Sequence, residues 1–214
     1  MKVRKTTKIV IIISWVLFFC ACFFIFTKLN QVKESKVTNE KIFQSKHTVT
    51  ATTAAEKEVT KDEVIAFMKN YYQWLEKGNE SKVVAMVEDP STMKKNQSVA
   101  KLKRYIEAYK NINFTVEDGL DEKSFIVYVT YDTKIKDIRT LVPALARYYV
   151  KMDKGSFVIY NNEKHYSDDM KDLMKEIVRK DKIQEMIQTT NKAYDQALKH
   201  DKELRKFFTS SESR

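Results

Sequence analysis

Asp132 is the residue in this sequence best placed for acid–base chemistry. It lies in SFIVYVTYDTKIK, four residues after Tyr128, and Tyr148 follows in the next apolar stretch, ARYYV. A carboxylate held among apolar side chains beside a phenol has its proton affinity raised and can exchange a proton with a small ligand. Tyr128, Asp132 and Tyr148 are therefore the candidate ligand-pocket residues, with Tyr131 and Tyr160 near them. The competing reading is structural. Tyrosine is a strong strand former and fills a sheet surface without any chemistry, and that reading is preferred.

Other reactive residue types are sparse. His47, His165 and His200 all sit in polar or charged text, where a solvated side chain is expected. Cys20 and Cys22 both lie inside the apolar run IVIIISWVLFFCACFFIF, and the rest of the chain has no cysteine. A disulfide framework, a thiol nucleophile and a cysteine metal site are excluded there. The chain has no HExxH, no glycine-rich phosphate loop and no GxSxG. The expectation is a protein that is not an enzyme, with no catalytic residues, no metal ligands and no cofactor.

The net charge of +10 would suit a nucleic-acid binder if it were concentrated on one surface. It is not. Residues 1–8 hold four basic residues and no acid, while residues 63–214 hold 28 basic against 24 acidic residues. A nearly balanced domain has no phosphate-tracking face, so nucleic acid is not an expected partner.

The N-terminal charge is instead a topology signal. Residues 9–27 are apolar apart from Ser14 and Thr27, matching the ~20 residues of a membrane span rather than the ~7–15 of a cleaved signal core. Lipoprotein processing at Cys22 is the competing reading. Phe19 and Cys20 fit a lipobox poorly, however, and FFIF continues the apolar run beyond it. Lys2, Arg4, Lys5 and Lys8 precede the span, which places the N-terminus inside and the C-terminal part outside the membrane. The expected organisation is a cytoplasmic tail over 1–8, a transmembrane helix over 9–27, and a flexible linker over 28–59.

Beyond the linker, Thr60 and Glu63 form a capping box ahead of Val64, Phe67, Met68, Tyr71, Trp74 and Leu75 at helical spacing, with Gly78 as the stop. A second helix, ESKVVAMVED, is expected to end at Pro90. A third, QSVAKLKRYIEAYKNI, would align Val99, Leu102, Ile106, Tyr109 and Ile112. The period then falls to two. NFTVED, a turn at Gly119, SFIVYVTYDTKIK, a strand around Pro143, the DKGS turn and FVIY read as an antiparallel sheet. Phe125, Val127, Val129, Tyr131, Thr133 and Ile135 would form its core face. From Ser167 the chain is helical again, with Ile183, Ile187, Thr190, Tyr194 and Ala197 on one stripe.

The segment YYQWLEKGNESKVVAMV, with its aromatic first helix, Gly-Asn break and short second helix, resembles the nuclear transport factor 2-like superfamily. The run KRYIEAYKNINFTVEDGLDEKSFIVYVTYDTKIKDIRTLVPALARYYV is similar to a family of membrane-anchored extracytoplasmic domains of Gram-positive bacteria, often followed by an SH3-like module that is absent before Arg214. The resemblance implies an α+β fold: a cone-shaped domain over 60–166, made of three helices packed on a curved antiparallel sheet, with a C-terminal helical extension over 167–214. Enzymes of that fold hold an acid or histidine inside the cone, opposite a tyrosine.

The functional expectation is a binding or scaffolding module at the cell envelope, held by its own transmembrane helix. Its partners would be another envelope protein or a cell-wall component, with a weak homodimer as a further state. Arg139 and Arg147, at the cone mouth, and Ile187 and Tyr194, on the tail helix, are the candidate partner surface. Two alternatives stand beside this: a component of a conjugation or secretion channel, and a small-ligand carrier or isomerase-like enzyme. A cone filled by aromatic residues would favour the scaffold; an open pocket lined by an Asp–Tyr pair would favour the carrier or enzyme.

Overall fold

The computed structural model describes residues 59–96 and 99–209. The expected cytoplasmic tail, transmembrane helix and linker, together with His47, Cys20 and Cys22, lie outside the described residues apart from the linker's last residue, Val59. Among the described residues no helix is long and apolar enough to cross a membrane.

The fold is α+β, with a four-stranded antiparallel sheet in the order β1-β2-β3-β4 and helices on both of its faces. Helix α1 (Lys61–Lys77) begins at the expected capping box: the Thr60 hydroxyl accepts from Glu63 N–H, and the Glu63 carboxylate accepts from Thr60 N–H. It ends at Gly78, whose φ of 70° is the left-handed conformation that glycine adopts without a Cβ clash.

Helix α2 (Glu80–Val84) is shorter than the sequence suggests. Met86–Glu88 leave the helix because they pair with the sheet edge, Glu88 N–H donating to Ile159 C=O and Ile159 N–H to Met86 C=O. Pro90 does not stop a helix; it opens one, as the first residue of α3 (Pro90–Asn96). Proline suits that position, since the N–H it lacks would have no helical partner. The Asp89 carboxylate accepts from Ser91 N–H just inside α3.

The expected third helix is a correction. Among the described residues of that segment only α4 (Val99–Leu102) is helical; residues 103–105 turn, and β1 (Ile106–Asp118) takes residues 106–112 into the sheet. Its register against β2 (Ser124–Ile135) slips twice, between Ile106 and Ala108 and between Lys110 and Asn113. Each slip shifts the alternation by one residue, so Ile106 faces Ile135, Tyr109 faces Thr133, and Ile112 packs against the same apolar cluster as Tyr109. Two bulges thus give a strand the three-residue apolar spacing of a helix. Asn111 takes up the second slip at φ 53°, a conformation asparagine tolerates better than most residues.

Strands β3 (Val142–Asp153) and β4 (Ser156–Tyr160) complete the sheet through a turn at Lys154 and Gly155. One face of β2, carrying Phe125, Val127, Val129 and Tyr131, packs under α1 with Val64, Met68, Tyr71, Tyr72 and Leu75. The other face is also buried. Ile126, Tyr128 and Tyr149 lie beneath α5 (Asp168–Val178) and α6 (Asp181–His200), against Met170, Met174, Ile177, Ile183 and Ile187. Helix α7 (Lys202–Thr209) closes the far end, where Leu204 and Phe208 meet Ile135, Ile138 and Val142.

Candidate functional site

The face of the sheet under α1, where a carrier or enzyme of this shape would hold its ligand, is filled. Tyr72 projects from α1 into the rings of Tyr71, Tyr109, Phe114, Tyr131 and Tyr148, at centroid distances of 5.3–6.3 Å and mostly edge to face. That geometry sets the positive ring edge against the negative ring face of a neighbour. The Tyr72 and Tyr148 hydroxyls lie 3.1 Å apart and share a hydrogen bond. Burial pushes the phenols of Tyr71, Tyr72, Tyr109 and Tyr148 well above the ordinary tyrosine range. Neighbouring phenols add to this for Tyr72, Tyr109 and Tyr148, because two phenolates cannot be held side by side away from water. These groups are neutral at physiological pH and serve poorly as proton donors or acceptors there.

The structure does not bring Tyr128, Asp132 and Tyr148 together. Tyr148 pairs in register with Val127 and shares its face, under α1, whereas Tyr128 pairs with Arg147 and faces α5 and α6. The sheet itself stands between the two tyrosines. Asp132 is four residues along β2 from Tyr128, about 13 Å at the strand rise. Its carboxylate accepts a 2.6 Å hydrogen bond from Asn111 Nδ2 across the β1 bulge. Its role in this geometry is to hold that bulge. The Tyr128 hydroxyl is buried without a hydrogen bond of good geometry, and burial raises its pKa. Arg147 beside it pulls the other way, by less.

The expected partner surface is dispersed in the same manner. Ile187 is 3% exposed in the second core, and Tyr194 is half-buried with its ring against Phe208. Neither Ile187 nor Tyr194 presents a free surface: the apolar stripe of α6 covers its own sheet. Arg139 is exposed in the β2–β3 connection, and Arg147 is half-buried on the α6 face of β3.

Two features carry no clear sequence signal. One is a polar knot joining the start of α3 to the turn after β4. His165 Nδ1 lies 2.9 and 3.0 Å from the Glu88 carboxylate oxygens, and its Nε2 lies 3.2 Å from Asn162 Nδ2. Asn162 Nδ2 also donates to Asp89, at 2.7 Å, and Asn162 Oδ1 accepts from Lys164 N–H. With its amide fixed on both sides, Asn162 presents a donor to His165, so Nε2 accepts and Nδ1–H donates to Glu88. His165 is exposed, as expected, and it also fastens the two loops together. The other feature is an open cleft of about 940 Å³ between residues 59–61 and the β1–β2 turn, beside Leu120, which is 46% exposed. Among the described residues no group of three or more His, Cys, Asp or Glu is placed to hold a metal ion.

A comparison with protein-family models and with curated proteins returned no match.

Proposed function

We propose that this chain is a single-pass, membrane-anchored module whose domain stands outside the membrane and acts by binding another envelope component, without catalysis. The observation that carries the proposal is the filling of the sheet face under α1. A cone-shaped, nuclear transport factor 2-like domain used as an enzyme or carrier keeps that face open around an acid. Here interlocked tyrosines occupy it, with their hydroxyls bonded to one another or held neutral by burial. Their packing supports a domain that works through its exterior. The apolar run over residues 9–27 and the basic residues before it support the anchor and its orientation.

The test is made on the full-length chain in intact cells. Photo-reactive side chains are placed at Gln188, Lys192 and Gln196, which are exposed on α6, and at Leu120 beside the cleft. Capture of one envelope protein or wall polymer from a defined subset of these positions is the expected result. In parallel, Leu120→Cys in a Cys20→Ala, Cys22→Ala background should react with a membrane-impermeant maleimide from outside the cell. Labelling only after lysis would overturn the topology. Saturable binding of a small molecule that quenches the buried tyrosines, without macromolecular capture, would overturn the scaffold reading.

A further inference from the structure

The near-balance of charge over residues 63–214 is an average over a polarised molecule. Three segments meet at the end of the sheet where β1 begins and β2 finishes. Ile106 pairs with Ile135, and Lys136 N–H donates to Tyr105 C=O. Phe207 of α7 sets its ring 6.3 Å from that of Tyr105, while Leu204 and Phe208 pack on Ile135, Ile138 and Val142. The segments 101–107, 134–139 and 199–206 thereby bring ten basic and four acidic residues to one end, leaving 18 basic against 20 acidic residues for the rest of 63–214.

The fold does not neutralise this charge. Lys101, Arg104, Lys136, Arg139, Lys202 and Lys206 are exposed, and among the described residues none of them forms an ion pair. Pairs such as Lys61–Asp118, Lys151–Asp121 and Lys180–Glu117 form at the other end of the strands. Of the four acids at the basic end, Asp201 accepts from Leu204 N–H as the cap of α7. The tether also enters at the other end. Val59 and Phe125 line one cleft, and Lys61 bonds Asp118, the last residue of β1. From Phe125 to Ile135 the strand covers about 34 Å, so the cations lie a strand length from the point where the chain arrives.

We infer that this basic end binds a linear phosphodiester polymer outside the membrane, an inference that rests on the anchored, outward-facing reading above. Single charges on three separate elements match a chain that repeats one negative charge per unit. A compact ligand would need its donors to converge on one point. Arg104 and Arg139 add planar forks that fit phosphate oxygens. A bilayer surface is the poorer match, because peripheral binding combines basic with apolar side chains. The exposed large apolar residue, Leu120, is at the opposite end. Each phosphate contact releases a condensed counterion, so the affinity must fall as salt rises.

The experiment uses the full-length chain in nanodiscs of zwitterionic lipid, titrated with fluorescent poly(glycerol phosphate) at several salt concentrations. Saturable binding that weakens with salt is expected. Arg104→Gln, Lys136→Gln and Arg139→Gln together should weaken it roughly tenfold or more and lower the salt slope by about two, since each lost contact removes ~0.7. Lys69→Gln, Lys164→Gln and Lys182→Gln remove the same net charge elsewhere and should leave the affinity within roughly twofold. The near-ultraviolet signal of the buried tyrosines reports that both variants are folded. Equal weakening by the two sets would overturn the site. Equal affinity for polyglutamate, or tighter binding of duplex DNA, would overturn the ligand class. Loss of polymer binding in discs of anionic lipid would give the surface to the bilayer and overturn the proposal as well. No polymer binding by a chain whose Leu120→Cys form is still labelled from outside would overturn this inference and leave the anchored-module reading standing.

Discussion

Tyr72 shows how a residue suited to chemistry becomes a structural one. It leaves α1 at the centre of a cluster of rings, bonds Tyr148, and has no contact with water for its hydroxyl to exchange with. The consequence is a defined response to alkali. In the unfolded chain a tyrosine ionises near pH ~10, but Tyr71, Tyr72, Tyr109 and Tyr148 are all held above that value in the fold. Below pH ~10 both states are protonated and these groups contribute no pH dependence. Above it the unfolded chain releases protons that the folded chain retains, so stability falls as pH rises. Spectrophotometric titration should show the exposed tyrosines ionising first and the buried set only with loss of the native near-ultraviolet signal. Smooth ionisation of all eleven tyrosines with the fold intact would mean that the cluster is open to solvent. The packing of these rings agrees with the reading of the sequence that aromatic residues fill the sheet surface. The sequence did not reveal that Tyr128 and Tyr148 lie on opposite faces, because that depends on the pairing of Val127 with Tyr148, a property of two strands together.

At the scale of elements, the sequence is most legible where the signal is local. Thr60, Glu63 and Gly78 mark the ends of α1 because caps act within a few residues, and Ser167 and Asp201 do the same for α5 and α7. Residues 103–112 are illegible for the opposite reason: their helix-like spacing comes from two bulges that exist only when β2 is alongside. Asn111 is the test. Its φ of 53° costs a β-branched residue about 1–2 kcal/mol, and its amide also holds Asp132. Asn111→Val should therefore lower stability by about 2–3 kcal/mol, adding ~1 kcal/mol for the lost hydrogen bond. Asn111→Gly, which keeps the backbone geometry, should lose only the bond. Denaturant midpoints of the two variants measure the difference, and equal midpoints would show that the bulge is not needed.

For the whole molecule, the sheet has two buried faces, with helices packed on both. The sequence presented residues 167–214 as an extension, and the alternation of β2 suggested a single core face. The second face is buried as well: Ile126, Tyr128 and Tyr149 are at most 2% exposed because Met170, Met174, Ile177, Ile183 and Ile187 cover them. Burying a large apolar side chain stabilises by about 1.5–3 kcal/mol, and a domain of this size is stable by only about 5–15 kcal/mol. Removing α5–α7 would expose the three sheet residues and discard the five that cover them, a loss comparable to the whole stability. Termination after Tyr166 should accordingly give a chain that binds hydrophobic dyes, lacks near-ultraviolet circular dichroism and aggregates, even though all four strands and α1 remain. Restoring residues 167–209 as a separate peptide should recover part of the signal if the helices dock on a preformed sheet. A truncated chain that unfolds cooperatively, with native-like tyrosine signals, would instead mark the α1–sheet layer as the independent domain and the C-terminal helices as an addition to it.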